Sequence, residues 1–207
     1  MMSDQPRTAV VGHALLSFFA EVDATTREQV QTALLFAQRA TDDVLADGLV
    51  DDGYRYYRNQ LKNLGWDAAP PHASYRPDLQ RRRVLDAALQ QIGVVSGEQM
   101  REATRVSIAR LRGSRKALLR FEERSLERSA FQLLPCRVSK PGYVDLVIYH
   151  QTLEAEDRCR GFLAFERVTT GARADLVRFN PRLFEQAYAP RVRQRLARAL
   201  LEDVHDL

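Results

Sequence analysis

The 207-residue chain contains only two cysteines and 10 glycines. Cys136 and Cys159 form no CxxC pattern and have no histidine at metal-ligand spacing, so the sequence predicts no zinc site. A cross-strand disulfide between them is possible in geometry, but two buried thiols in a reducing compartment are the simpler interpretation. So few glycines also leave little backbone for a phosphate-wrapping loop, and no such motif occurs. We therefore expect neither a metal nor a cofactor.

Local patterns of known catalytic sites are absent as well. The chain has no GxSxG, and none of its four histidines forms HxH, HxxxH or HExxH. A lone histidine on an apolar element is usually a hydrogen-bonded core residue, so no catalytic residue is assigned. The sequence favours a protein that is not an enzyme. An enzyme would need a site assembled from distant side chains, and the candidates for one on the predicted sheet are Tyr149, His150, Glu166 and Arg167; the remaining histidines are His13, His72 and His205.

Long apolar runs are also missing. The run from Ala9 to Ala20 is interrupted by His13 and is well short of the about 20 apolar residues that span a bilayer. The first residues have no basic n-region and no small-residue cleavage pattern follows the run, so a secretory signal is not predicted. By default we expect the cytoplasm, with export by a route that needs no signal peptide left open.

Charge is distributed unevenly along the chain. Residues 1–75 carry 6 basic and 10 acidic side chains, residues 76–130 carry 13 and 7, and residues 131–207 carry 12 and 10. An acidic segment joined to a basic one suits self-association, intramolecular docking or attraction to an outside polyanion. Adjacent carboxylates on a helix point in different directions, so we interpret four acidic pairs as solvated charges or helix caps. They are Asp42-Asp43, Asp51-Asp52, Glu122-Glu123 and Glu202-Asp203.

Apolar residues recur every three or four positions before about residue 130, which is the period of helices. We predict about five helices in this part, and a linker or long loop at the proline-rich residues 67–77. Gly113-Ser114 marks a kink or break within the last of the five. The predicted helices cover residues 8–22, 27–46, 54–64, 78–92 and 97–126.

After residue 130 apolar and polar residues alternate, which is the period of strands. Four strands joined by short links predict an antiparallel meander, and two helices follow it. The fold class is therefore α+β, interpreted as one compact domain over residues 1–207. It comprises a helical part (1–129), a sheet (130–179) and C-terminal helices (180–207). The predicted strands cover residues 131–138, 143–152, 161–170 and 174–179, and the closing helices residues 181–188 and 191–205.

Two features of the sequence suggest interaction surfaces. The first is a run of cations on the predicted helix of residues 97–126, which could follow the phosphates of a nucleic acid, although interleaved glutamates also fit an ordinary solvated face. Its candidate residues are Arg105, Arg110, Arg112, Arg115, Lys116 and Arg120. The second is an apolar hairpin that could enter a membrane if the helices released it, although packing on those helices is the more ordinary interpretation. Its candidate residues are Tyr143, Val147, Tyr149, Phe162 and Phe165.

The sequence thus favours a soluble protein that acts by association with a protein partner or with itself. The motivation is the acidic front, the basic middle and the lack of a local catalytic pattern. The alternatives are a membrane-active protein of toxin or virulence type with a helix-shielded hairpin, and a nucleic-acid-binding protein. A salt-dependent oligomer is the expected behaviour of the first class.

Overall fold

The computed structural model describes residues 5–68, 82–154, 161–164, 166–167 and 171–207. These residues form an α+β structure with seven α-helices and a seven-stranded mixed sheet, so the fold class expected from the sequence is confirmed. The helices are α1 (Ala24–Ala46), α2 (Gly53–Asn63), α3 (Val84–Ser96), α4 (Glu98–Gly113), α5 (Arg115–Arg128), α6 (Pro181–Ala187) and α7 (Ala189–Asp203). The strands are β1 (Arg7–Val11), β2 (Ala14–Phe18), β3 (Trp66–Ala68), β4 (Arg82–Arg83), β5 (Ala130–Lys140), β6 (Tyr143–Thr152), β7 (Glu166–Arg167), β8 (Ala172–Phe179) and β9 (Val204–Asp206), and a 3-10 helix covers Phe162–Ala164.

The main sheet has the strand order β3-β8-β6-β5-β2-β1-β9, and β4 and β7 form a separate pair. Its neighbouring strands are antiparallel except β2 and β5, which run parallel with Leu15 opposite Leu133. β1 and β2 form a hairpin, and β9 pairs with the outer side of β1. The sheet is therefore assembled from both the first and the last described residues as well as from the middle of the chain.

Helices cover both faces of this sheet. On one face α1, α2, α6 and α7 pack on a cluster that includes Leu134 and Leu146. On the other face α3, α4, α5 and the 3-10 helix pack on a cluster that includes Leu133 and Tyr149. Leu133 and Leu134 belong to different clusters because successive side chains of a strand point to opposite faces. None of the described helices is both long and apolar enough to cross a bilayer.

The prediction of a buried helix over residues 8–22 is wrong, because β1, a turn at Gly12-His13 and β2 occupy this segment. All residues from Thr8 to Phe18 are buried. A strand covered on both faces has a nearly continuous apolar sequence, which periodicity alone cannot distinguish from a buried helix. Gly12 adopts a φ of +53°, a conformation that glycine reaches without strain.

The helix expected over residues 97–126 is divided at Ser114 into α4 and α5, so the break predicted at Gly113-Ser114 is confirmed. A further prediction needs correction. Within the range 161–170, where a strand was expected, the described residues form a 3-10 helix and the short strand β7, which pairs with β4, so the predicted four-stranded meander is wrong. β5, β6 and β8 are adjacent and antiparallel as the pattern suggested, but they belong to a larger mixed sheet. The loop predicted at residues 67–77 falls outside the described residues after position 68, and its first two residues belong to β3.

Candidate functional site

A cleft of about 780 Å³ with a mixed polar and apolar lining opens on the sheet face that carries α1 and α2. It lies between the β1–β2 turn, the C-terminal half of α1, the first turn of α2 and the adjoining ends of β5, β6 and β8. Its volume is within the range of small-molecule pockets, about 300–1,000 Å³. We call it the histidine cleft and define it by His13, Asp42, Tyr54, Gln132, His150 and Arg173.

Strand register builds the floor of the histidine cleft. Gln132 in β5 lies opposite His150 in β6, and His150 lies opposite Arg173 in β8. The three side chains form a row across three strands and share one sheet face with Leu134 and Ile148, two residues away along β5 and β6. The pairing of these strands therefore brings together residues that are up to 41 positions apart in the sequence.

The β1–β2 turn adds the second histidine. The main-chain carbonyl of His13 accepts a hydrogen bond from the Gln132 backbone N–H at 3.0 Å. Gln38 of α1 donates from Nε2 to the Val11 carbonyl at 3.2 Å, which fixes the turn against the helix. A β-carbon at Gly12 would lie 2.2 Å from Gln38 Oε1, so the side chain of Gln38 reaches this turn only because residue 12 has none.

Both imidazoles of the cleft are neutral at pH 7. Burial lowers the pKa of His13 to about 3, and the charges of His150 and Arg128 add to this effect. Burial also lowers the pKa of His150 to about 4, helped by Arg173 and opposed by Asp52. The two rings therefore act in the cleft as hydrogen-bonding groups rather than as cations.

Tyr54 of α2 forms the aromatic wall of the cleft. Its ring stacks on His150 with a centroid separation of 4.5 Å and an interplanar angle of 30°. The Arg173 guanidinium lies 5.3 Å from the centroid of the same ring, within cation–π range. Tyr54 Oη donates to Asp175 Oδ2 at 2.6 Å, and Arg58 pairs with the same carboxylate. Burial, followed by the charge of Asp175, raises the pKa of Tyr54, so the phenol stays protonated.

Carboxylates line the side of the cleft formed by α1 and α2. Asp42 forms an ion pair with Arg128 at 2.5 Å, and burial nevertheless raises its pKa to about 6. Asp52 caps α2 by accepting from the Arg55 N–H at 2.9 Å, and it lies 3.5 Å from Arg173. Each guanidinium of the described cleft lining thus has a carboxylate partner.

Within the described structure, two buried polar atoms of the cleft lining have no hydrogen-bond partner. Gln132 is 1% exposed and Tyr57 is 3% exposed. Gln132 Nε2 lies 3.4 Å from His150 Nδ1, a distance at which the amide donates only weakly. Burial, the larger effect, raises the pKa of Tyr57, whereas interaction with Gln132 lowers it. No hydrogen bond of ordinary geometry joins the two side chains in the described structure. Gln132 Oε1 and Tyr57 Oη are therefore both left unpartnered.

A smaller cleft of about 370 Å³ lies between α5 and the end of α7. Its main carboxylate is Asp203, which is already paired with Arg39 at 2.6 Å and with Arg124 at 2.7 Å. Arg120 donates to the Glu202 carbonyl at 3.2 Å and contacts His205. Asp203 and Glu202 of this cleft are therefore paired, and none of its described lining side chains has a buried polar atom without a hydrogen-bond partner, which distinguishes it from the histidine cleft.

The six predicted basic residues lie on two helices rather than one. Arg105 pairs with Glu102 at 2.5 Å, and Arg110 binds Gln5 Oε1 at 2.8 Å as well as the Pro6 carbonyl. Arg120 is held at the C-terminal end of α7, as described above. The remaining three are on the surface, with no ion pair in the described structure: Arg112, Arg115 and Lys116. Nucleic-acid binding by this surface stays a prediction.

The predicted apolar hairpin does not form, because β6 is a central strand paired with β5 and β8. Val147, Tyr149 and Phe162 are buried in the core on the α3–α5 face, whereas Tyr143 at the start of β6 is 39% exposed. Phe165 lies outside the described residues. Release of β6 would break the hydrogen bonds of two strand pairs, and membrane activity stays a prediction.

The residues of the histidine cleft are those that sequence patterns alone do not single out. His13 and His150 lie far apart in the chain, and the acidic pairs at 42–43 and 51–52 fit surface or capping charges by pattern. Asp52 is indeed a cap, but Asp42 and Asp51 line the cleft too. The alternative set around His150 is not brought together: Tyr149 points to the opposite sheet face, and Glu166 and Arg167 belong to β7.

No group of three or more metal-ligating side chains occurs within the described ranges. Cys136 is a buried free thiol, and Cys159 lies outside the described part. Comparison of the chain with protein-family models, with curated proteins and with solved structures gave no significant match. The geometry of the histidine cleft is therefore the basis for a functional proposal.

Proposed function

We propose that the protein binds a small polar molecule in the histidine cleft. The observation that carries the proposal is the side chain of Gln132, a residue of the cleft lining whose buried carbonyl oxygen, Oε1, has no donor among the described residues. Leaving such an atom unpartnered costs a folded protein about 1–3 kcal/mol. A ligand that donates a hydrogen bond to this oxygen would recover that cost, and the same ligand could contact Tyr57 Oη.

The rest of the lining supports recognition rather than simple packing. The neutral imidazoles of His13 and His150 offer hydrogen-bonding nitrogens without charge, and Tyr54 offers an aromatic surface. These groups are fixed before any ligand enters, because Asp175 anchors Tyr54 and the strand register fixes His150. A preorganised site loses less conformational freedom on binding, which favours affinity for a small ligand.

The proposal is tested by nuclear magnetic resonance with the isotopically labelled full chain and mixtures of small polar metabolites. Binding is expected to shift the backbone amide signals of residues 13, 132 and 150. Gln132→Met keeps the approximate volume but removes the acceptor. This variant should lose binding and gain stability, by up to about 1–2 kcal/mol, because a buried unpartnered polar atom is gone.

Gln91→Met is the matched control. Gln91 is also 1% exposed, and both its side-chain polar atoms lack partners, but it belongs to α3 on the other face of the sheet. This variant should gain stability in the same way and keep ligand binding unchanged. Equal binding by Gln132→Met and the unsubstituted protein would contradict the proposal, as would loss of binding in both variants.

Association with a protein partner or with a second copy stays a prediction. Association was suggested by the complementary charges of the acidic and basic segments. Some of these charges pair within the molecule, since Arg128 of the basic segment pairs with Asp42 of the acidic one. Sedimentation at low and high salt tests the remainder: a monomer under both conditions, with no partner retained in pull-downs, would contradict association.

A further inference from the structure

We infer that the ligand of the histidine cleft is a small organic amine that carries a positive charge. This inference rests on the proposed function and adds the chemical class of the ligand. It depends on the charges that the cleft leaves unpaired and on the kind of hydrogen-bonding atom that its floor presents.

The charges of the lining leave an excess of carboxylates. Arg128 and Arg173, the two guanidiniums of the described lining, have Asp42 and Asp52 as partners. Asp51 and Glu154 also line the cleft, and neither forms an ion pair with any described residue. With both histidines neutral, the described lining carries two more negative charges than positive ones. Among the described lining residues, an anionic ligand would therefore meet no unpaired cation and two unpaired carboxylates.

The floor of the cleft independently requires a donor. Gln132 Oε1 is an amide carbonyl oxygen, which can only accept. An ammonium group has three N–H donors and no acceptor, so it can bond this buried oxygen while its charge faces the carboxylates at the rim. A hydroxyl could also donate to the oxygen but would gain nothing from the negative charge. Donor geometry and charge thus favour the same class of ligand.

The experiment compares three probes of equal chain length with the labelled full chain: putrescine, 1,4-butanediol and succinate. Putrescine is expected to shift the amide signals of residues 13, 132 and 150, 1,4-butanediol to bind more weakly, and succinate not to bind. Asp51→Asn and Glu154→Gln should each weaken putrescine binding about two- to fivefold, the range of an exposed ion pair. Asp86→Asn, on α3 beyond the cleft, is the matched control and should leave binding unchanged.

The possible outcomes distinguish a failure of the amine class from a failure of the proposed binding of a small polar molecule. If succinate or 1,4-butanediol shifts the cleft signals as strongly as putrescine, the cleft binds small polar molecules but the amine class is wrong. The same conclusion follows if the metabolite mixtures shift the signals and putrescine does not. If neither the mixtures nor the three probes shift any cleft signal, the proposed function and the amine class both fail.

Discussion

Gly12 shows how much of the histidine cleft depends on a single residue. Its φ of +53° is strained for any residue with a side chain, and a β-carbon there would displace the buried Gln38 side chain. Gly12→Ala should therefore destabilise the protein by about 1–3 kcal/mol, since both backbone strain and the Gln38 bond to Val11 are affected. Chemical denaturation measures the loss.

Gly48→Ala separates the two costs of that substitution. Gly48 has a similar φ of +66°, but a β-carbon added there would have no other atom within 4 Å. This variant should lose only the conformational part, about 1 kcal/mol. If the two variants lose equal stability, the contact between Gln38 and the turn has no energetic importance.

The cleft histidines predict a specific response to acid. Their folded-state pKa values, about 3 for His13 and about 4 for His150, lie below the usual 6.5. Below about pH 6.5 these histidines are protonated in the unfolded chain but remain neutral in the folded protein, so the free energy of unfolding should fall as the pH drops toward 4. Asp42 opposes this trend, because its folded pKa of about 6 exceeds the usual 3.8 and its protonation favours the folded state. The two downward shifts outweigh the single upward one.

Urea denaturation between about pH 7.5 and about pH 4.5 checks this prediction. His13→Asn should make the free energy of unfolding depend less on pH, because the variant lacks a histidine that stays neutral in the folded state. Asp42→Asn should make it depend more on pH, because the opposing group is absent. A stability that stays level in the unsubstituted protein over this range would show that the histidines are not buried as neutral groups.

At the scale of elements, the position of α2 depends on one carboxylate of β8. Asp175 accepts from Tyr54 Oη at 2.6 Å and pairs with Arg58, so both contacts join α2 to the sheet. Asp175→Asn removes the charge but keeps the shape, and it should cost about 1–3 kcal/mol because charge-assisted hydrogen bonds are lost. A double-mutant cycle with Tyr54→Phe measures how much of this free energy comes from the hydrogen bond between Tyr54 and Asp175. Additive effects of the two substitutions would contradict a direct interaction.

Helices with one polar face were predictable from the sequence, since α1 and α2 begin within three residues of their predicted starts. β6 also covers the predicted residues 143–152, although it is buried on both faces. The strands within residues 8–18 could not be predicted from the spacing of apolar residues, because this segment is buried on both faces of the sheet and its sequence is nearly all apolar. The cleft was less predictable still: His13, Gln132, His150 and Arg173 meet through strand pairing, and no local spacing in the sequence encodes which strands become neighbours.

At the scale of the whole molecule, β9 closes one edge of the sheet. It pairs with β1 from Ala9 to Val11, Leu207 donates to the Thr8 carbonyl at 2.8 Å, and Asp206 accepts from Gln31 at 3.0 Å. A chain ending at residue 203 would keep the pairing of β1 with β2 but would leave unpaired the backbone groups of β1 that face β9. Its loss of stability should be about 2–5 kcal/mol, since several hydrogen bonds at about 0.5–1.5 kcal/mol each disappear together.

The shortened chain should also associate, because β1 would become an unpaired and largely apolar edge that can pair with a second copy. Sedimentation velocity at several concentrations measures this, and Asp206→Ala is the control that loses only the Gln31 bond. Edge pairing uses backbone hydrogen bonds, so this association should persist at high salt, whereas association between acidic and basic segments should weaken. A shortened chain that dissociates on addition of salt would point to the charged segments, and one that stays monomeric would show that β9 does not protect the edge.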